Sequence, residues 1–162
     1  MADRVRWGDF EASEPAFSSR IRARFSAHPH HVVATVAADG RPRAWGSSVF
    51  VNDGELWLGA MTGSLRVVDL RREPRIAVHS APLSEQLDGG DARIEGTATV
   101  LDPAGSADWM TTHAAAPAGG ERPTGDVVLV GLERVVLTEV QGDVLALTVW
   151  EPGRGIRIVH RP

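Results

Sequence analysis

The sequence predicts an α+β domain built around an antiparallel sheet or barrel, with a few peripheral helices. Three observations predict it. About seven or eight short runs rich in β-branched residues are separated by glycine, proline and Asn-Asp punctuation. Two of those runs flank Asn52-Asp53-Gly54, a strong hairpin signal. The helical segments do not alternate regularly with the strands, as a doubly wound nucleotide fold requires. A chain of 162 residues is long enough for one core and too short for two comfortable ones, so one domain over residues 1–162 is expected.

The first helix is expected over 13–27. Ser13 can cap it, Pro15 suits its first turn, and Phe17, Ile21 and Phe25 recur at intervals of four before His28-Pro29-His30-His31 breaks the pattern. Strands follow over 31–37, 42–51 and 55–60, the first two separated by a turn at Ala38-Asp39-Gly40-Arg41. A helix over 62–73 is stopped by Pro74, because the residue before proline avoids the helical region. Strands are expected next over 75–80 and 92–101, with a polar, turn-rich stretch between them. A short helix over 106–115 and a loop over 116–125 lead to strands over 127–132, 135–140, 144–150 and 156–159. Gly131, Gly142-Asp143 and Pro152-Gly153 separate these last strands.

Composition excludes several kinds of chemistry. There is no cysteine, hence no disulfide, thiolate nucleophile or Cys-ligated metal. There is no tyrosine, and all 17 Lys-or-Arg positions are arginine, so no side-chain amine can form a Schiff base. The net charge of −4 gives a nucleic-acid partner no general support. No apolar run reaches membrane-spanning length and the first residues lack a signal peptide's hydrophobic segment, so a cytoplasmic protein is expected. No Ser-His-Asp spacing, paired-carboxylate motif or metal cluster stands out.

One stretch is out of place. Arg66 falls in the first turn of the helix expected over 62–73, where the macrodipole is already positive and a cation is disfavoured by some tenths of a kcal/mol. Ser64 is placed to cap that helix, and Gly63 lets a ligand approach the backbone closely. Free first-turn amides attract phosphate, and a guanidinium beside them adds charge-assisted hydrogen bonds that outweigh the dipole penalty. Taken alone, so short a motif fits a solvated surface arginine at least as well.

The surroundings narrow the choice. Gly40-Arg41-Pro42-Arg43-Ala44-Trp45-Gly46-Ser47-Ser48, then Leu56-Trp57-Leu58-Gly59-Ala60, then Gly63-Ser64-Leu65-Arg66 and Leu70-Arg71-Arg72-Glu73-Pro74-Arg75 together resemble the FMN-binding split β-barrel family, also called pyridoxamine 5′-phosphate oxidase-like. The resemblance is good over 21–100 and looser over 135–160. It implies an antiparallel split β-barrel with a few peripheral helices that binds FMN, or a 5-deazaflavin coenzyme, and acts by hydride transfer on a small organic substrate.

In that reading Ser64, Leu65 and Arg66 hold the cofactor phosphate, with Arg66 at the family's usual lysine and Arg43 as a second contact. Trp45, Ser47 and Ser48 lie along the isoalloxazine ring. Ala60 and Met61 line the ribityl chain. Thr62 supplies a hydroxyl where Ala60 lacks the threonine common in the family. A homodimer with cofactors at the interface is implied, Trp150 of one subunit, with Arg154 and Arg157 nearby, covering the flavin of the other. The Arg-x-His pair of true pyridoxamine 5′-phosphate oxidases is missing from Thr138-Glu139-Val140-Gln141-Gly142-Asp143, which points to the family's smaller, more diverse oxidoreductases.

The alternative from another class is a flavin- or haem-binding module without turnover. His28, His30 and His31 invite a metal or haem site, but they straddle a helix–strand boundary and are expected to form a surface cluster instead. His79, ending an apolar strand, reads as a core or pocket-lining residue.

Overall fold

The computed structural model describes residues 4–82, 84–113 and 124–162. Most of the loop expected over 116–125, and the end of the helix before it, lie outside the described residues. Four helices and nine strands follow in the order α1 (Trp7–Ser13), α2 (Pro15–Ser26), β1 (His31–Val36), β2 (Pro42–Ser47), β3 (Phe50–Asn52), β4 (Glu55–Ala60), α3 (Leu65–Arg72), β5 (Arg75–His79), β6 (Asp91–Val100), α4 (Pro103–His113), β7 (Asp126–Gln141), β8 (Val144–Glu151) and β9 (Gly155–Arg161).

Every pairing is antiparallel, in the order β2-β1-β5-β6-β7-β4-β3, and β8 and β9 extend the sheet from the far half of β7. β7 is the seam of the split barrel. Along one edge it pairs with β6, while on the other edge its first residues pair with β4 and its last with β8. β2 and β3 are adjacent in the chain yet lie at opposite ends of the strand order, so the sheet must curl for the chain to pass between them.

Three expectations change. The single strand expected over 42–51 is two, broken at Ser48-Val49, because β2 pairs with β1 and β3 with β4. The two strands expected over 127–140 are one, β7. Gly131 does not interrupt it: Gly131 sits opposite Thr97 and beside Gly96, where a Cβ on Gly96 would come within 1.9 Å of the Gly131 carbonyl oxygen. The glycines permit close approach of two strands at the adjoining bulge, where the β6 register shifts between Glu95 and Gly96. Finally, the helix expected first is α2, which begins at Pro15 and is the second in the chain. α1 precedes it, Ser13 ends α1 and donates to the Phe10 carbonyl (3.0 Å), and Glu14 takes the N-cap position of α2.

The core explains α1. Trp7 and Phe10 are fully buried, edge-on to each other at 5.5 Å, and Phe10 packs on Trp150 at 4.5 Å. Phe17, Ile21 and Phe25 of α2 complete this side against Val33, Ile76, Ile94 and Leu137. A smaller cluster of Trp57, Met110, Val127 and Leu129 seats α4 on β4 and β7. Among the described residues no helix is long and apolar enough to cross a membrane.

Candidate functional site

β4 ends at Ala60, and the chain turns through Met61-Thr62-Gly63 into α3. Gly63 adopts φ +69°, with open space where a side chain would be. Its amide donates to the Asp126 carboxylate (3.2 Å), and the Ser64 amide to the Met61 carbonyl (3.0 Å). Ser64 occupies the N-cap position with extended dihedrals, but its hydroxyl makes no capping bond and is buried without a partner. The first helical bond is Val68 N–H to the Ser64 carbonyl (3.0 Å), so the amides of residues 65–67 have no acceptor within the helix.

Arg66 leans back over β4, its Nη2 donating to the Gly59 carbonyl (3.1 Å). Its Nε is buried without a partner, and it makes no ion pair among the described residues. Burial holds its pKa below the ordinary guanidinium value, the sign of a cation removed from water with no carboxylate nearby. Donors of this kind, beside free first-turn amides, are able to receive an anion.

The cup opens into a cleft of about 340 Å³ lined by Ser47 and Ser48 from the β2–β3 corner, Ala60 at the end of β4, Met61 just after it, Arg66 from α3 and His30 from the α2–β1 connection. Met110 of α4 and Thr124 complete its far wall and are shared with a second hollow of about 310 Å³, which Thr62 and Asp126 also line. Of the residues expected at the site, Ser47, Ser48, Ala60, Met61 and Arg66 line this cleft, with Thr62 next door. Ser64 and Leu65 flank the cleft from the helix start.

The remaining expected residues are engaged elsewhere. Arg43 donates to both oxygens of buried Asp69 (3.2 and 3.1 Å), which also accepts from the Thr35 hydroxyl (3.0 Å). The Trp45 indole donates to the same Thr35 oxygen (2.9 Å), so Trp45 and Arg43 belong to a network tying β1 and β2 to α3. Trp150 requires a correction. It is only 3% exposed and packed on Phe10 within its own chain, so it presents no face with which to cover a partner's flavin. Arg154 and Arg157 beside it face Glu151 (3.4 and 3.6 Å).

The histidine run divides. His31 is buried; its Nε2 donates to the Phe25 carbonyl (3.0 Å) and its Nδ1 accepts from the Ala81 amide (3.2 Å), which fixes a neutral tautomer. Burial is the main cause that lowers its pKa. No group of three or more metal-ligating side chains occurs among the described residues.

The family profile described as pyridoxamine 5′-phosphate oxidase matches residues 17–138, three quarters of the chain. The chain belongs to the pyridoxamine 5′-phosphate oxidase family.

Solved structures with the same fold include PhzG from Burkholderia lata in complex with tetrahydrophenazine-1-carboxylic acid, 13% identical, covering 95% of each chain with a TM-score of 0.69. A pyridoxamine 5′-phosphate oxidase-related, FMN-binding protein from Nostoc punctiforme is 13% identical, covering 92% of this chain and 96% of that one with a TM-score of 0.59. A heme-binding protein from Mycobacterium smegmatis is 15% identical, covering 87% and 86% with a TM-score of 0.55. At these identities the likeness is one of fold. No curated protein sequence matches the chain.

Asp126 and His30 are site features that sequence reasoning missed. Asp126 reaches the cup only because β7 pairs with β4, Ala60 opposite Asp126, a non-local contact with no local signal. His30 was legible only as one of three clustered histidines; it immediately precedes β1, whose first residue, His31, is buried while His30 is exposed at the cleft.

Proposed function

We propose that this member of the pyridoxamine 5′-phosphate oxidase family is a flavin-dependent oxidoreductase that holds FMN in the cleft and acts by hydride transfer on a small organic substrate. The observation that carries the reading is Arg66: among the described residues it is a half-buried cation without a carboxylate, at a helix start whose 65–67 amides and buried Ser64 hydroxyl also lack partners. These donors fit a phosphoryl group, the amides of 65–67 and Ser64 Oγ supplying hydrogen bonds and Arg66 the charge. Asp126 holds Gly63 in place and is itself paired with Arg71 (3.1 Å), which offsets its charge near the phosphate.

Bound flavin supplies the redox chemistry; the chain positions it and tunes its surroundings. Ser48 and the backbone at the β2–β3 corner offer polar groups to the ring's edge, whereas the Ser47 hydroxyl donates to the Ser48 carbonyl (3.1 Å) and shapes that corner. Met61 and Leu65 are 80% and 60% exposed, and Val68 lies on the same helix as Leu65 with 52% exposed. Large apolar groups left in water around a cup fit a second subunit closing over it, so a homodimer with the cofactor at its interface belongs to the proposal.

A second reading, a 5-deazaflavin coenzyme on the same cup, draws on the hollow beyond Met110, which gives room for a longer tail. The visible spectrum of the purified protein, with extraction and mass determination of any cofactor, tests both. Bound FMN supports the first reading. A colourless protein that takes up added deazaflavin but not FMN supports the second. Failure to bind either contradicts both.

A further inference from the structure

We infer that His30 is a second anion-binding group of the cleft, whose protonation strengthens binding of a phosphate-bearing ligand; this rests on the cleft being the cofactor site. The three neighbouring histidines do different work. His31 is locked in the core with both ring nitrogens satisfied. His28 shapes the turn: its Nδ1 accepts from the His30 backbone amide (3.1 Å), and the two rings meet edge-on at 6.3 Å. His30 is exposed, lines the cleft, and neither of its ring nitrogens has a partner among the described residues.

The charge pattern of the cleft gives this position meaning. Of the described side chains lining it, His30 and Arg66 are the ionisable ones, and no described carboxylate accompanies them there. Ser47, Ser48 and Thr124 contribute hydroxyls, and the rest of the wall is apolar or glycine. The charged or titratable groups facing His30 are therefore Arg66 across the cleft, His28 on the same turn and His31 at the start of β1. None of these described groups offers the imidazolium a counter-charge.

An anionic ligand does offer one. Imidazole is the side chain that changes charge near neutral pH. The site is thereby selective for a ligand that carries its negative charge into the cleft, and its grip on that ligand depends on pH. Arg66 anchors the anion at every pH; His30 adds to the grip only when protonated.

Calorimetric titration of the wild-type protein and His30→Gln, with inorganic pyrophosphate and with FMN at pH 5.5 and 8.0, tests the inference. Glutamine keeps a hydrogen-bond donor but cannot charge, and comparing variants at each pH cancels the ligand's own titration. The expected result is wild-type affinity about fivefold above His30→Gln at pH 5.5, the scale of a partly exposed ion pair, and equal affinity at pH 8.0. A ratio that does not change with pH overturns the role of His30 while leaving the flavin reading intact if FMN binds. A pH-dependent ratio for pyrophosphate, with FMN not bound at all, upholds His30 and overturns the flavin reading. Binding of neither ligand overturns both.

Discussion

The two ends of α3 treat arginine in opposite ways. In the last turn Arg71 pairs with Asp126 (3.1 Å), while Arg72 lies 4.0 Å from Asp69 and donates to the Val36 carbonyl. There the macrodipole, the ion pairs and the carbonyls all favour a cation. In the first turn Arg66 has the dipole against it and, among the described residues, no carboxylate and a buried nitrogen without an acceptor. The difference separates the arginines that hold the fold together from the one whose donors are left unmet: a helix that stabilises charge at one end stores an unmet demand at the other.

The largest effect should come from Asp69, where the stabilising end meets the strands. Asp69→Ala removes the acceptor of Arg43 and Thr35, and is expected to destabilise the protein by about 2–3 kcal/mol, read from the denaturation midpoint. The cost stays below that of a fully buried pair because Arg43 and Arg72 remain partly hydrated. A loss under half of that would break the contrast between the two helix ends.

Next is Gly63. Gly63→Ala places a Cβ in open space but at φ +69°, so strain alone should cost about 1–2 kcal/mol in thermal unfolding. An unchanged melting temperature would mean that the turn into the cup is not held in this conformation.

Arg71→Ala sharpens the comparison from the other side. The Arg71 side chain is half exposed, so its pair with Asp126 should be worth less than about 1 kcal/mol, and cofactor affinity should move little. A large loss of affinity would place Arg71, rather than Arg66, at the anion.

Smallest is a pH effect from His31. Its pKa is lowered by burial, so the unfolded chain binds a proton more readily than the folded one. The stability tied to neutral His31 is complete above about pH 6.5 and declines as pH falls below it. Melting temperatures measured between pH 5 and 7.5 should show that decline in the wild type and a shallower one in His31→Gln; identical slopes would remove His31 as the cause.

Local chemistry was legible in the sequence where one residue decides. Asn52-Asp53-Gly54 forms the β3–β4 hairpin, with positive φ at Asp53 and Gly54, and Pro74 follows the end of α3 as its ring requires. The cup was legible for the same reason: Gly63, Ser64 and Arg66 are adjacent, and their meaning depends on a helix start that the pattern locates. What was not legible depends on pairings distant in the chain. Arg43 and Trp45 sit on a strand beside the cleft, but their side chains turn toward Thr35 and Asp69, and only the β1–β2 register and the packing of α3 decide that. Trp150 read as a covering residue because nothing local announces α1, whose Trp7 and Phe10 bury it. Likewise, Gly131 looked like a strand end until Gly96 was found beside it.

The account stands on Arg66, and Arg66→Ala tests it most directly when affinity and stability are measured together. The account predicts that the dissociation constant for the phosphorylated cofactor rises about 10- to 100-fold, the worth of a hydrogen bond to a charged group. It also predicts that the ligand-free protein melts no lower than wild type, since a desolvated cation without a counter-charge is lost. Unchanged affinity together with a lower melting temperature would contradict it, making Arg66 a structural residue and the cup something other than an anion site.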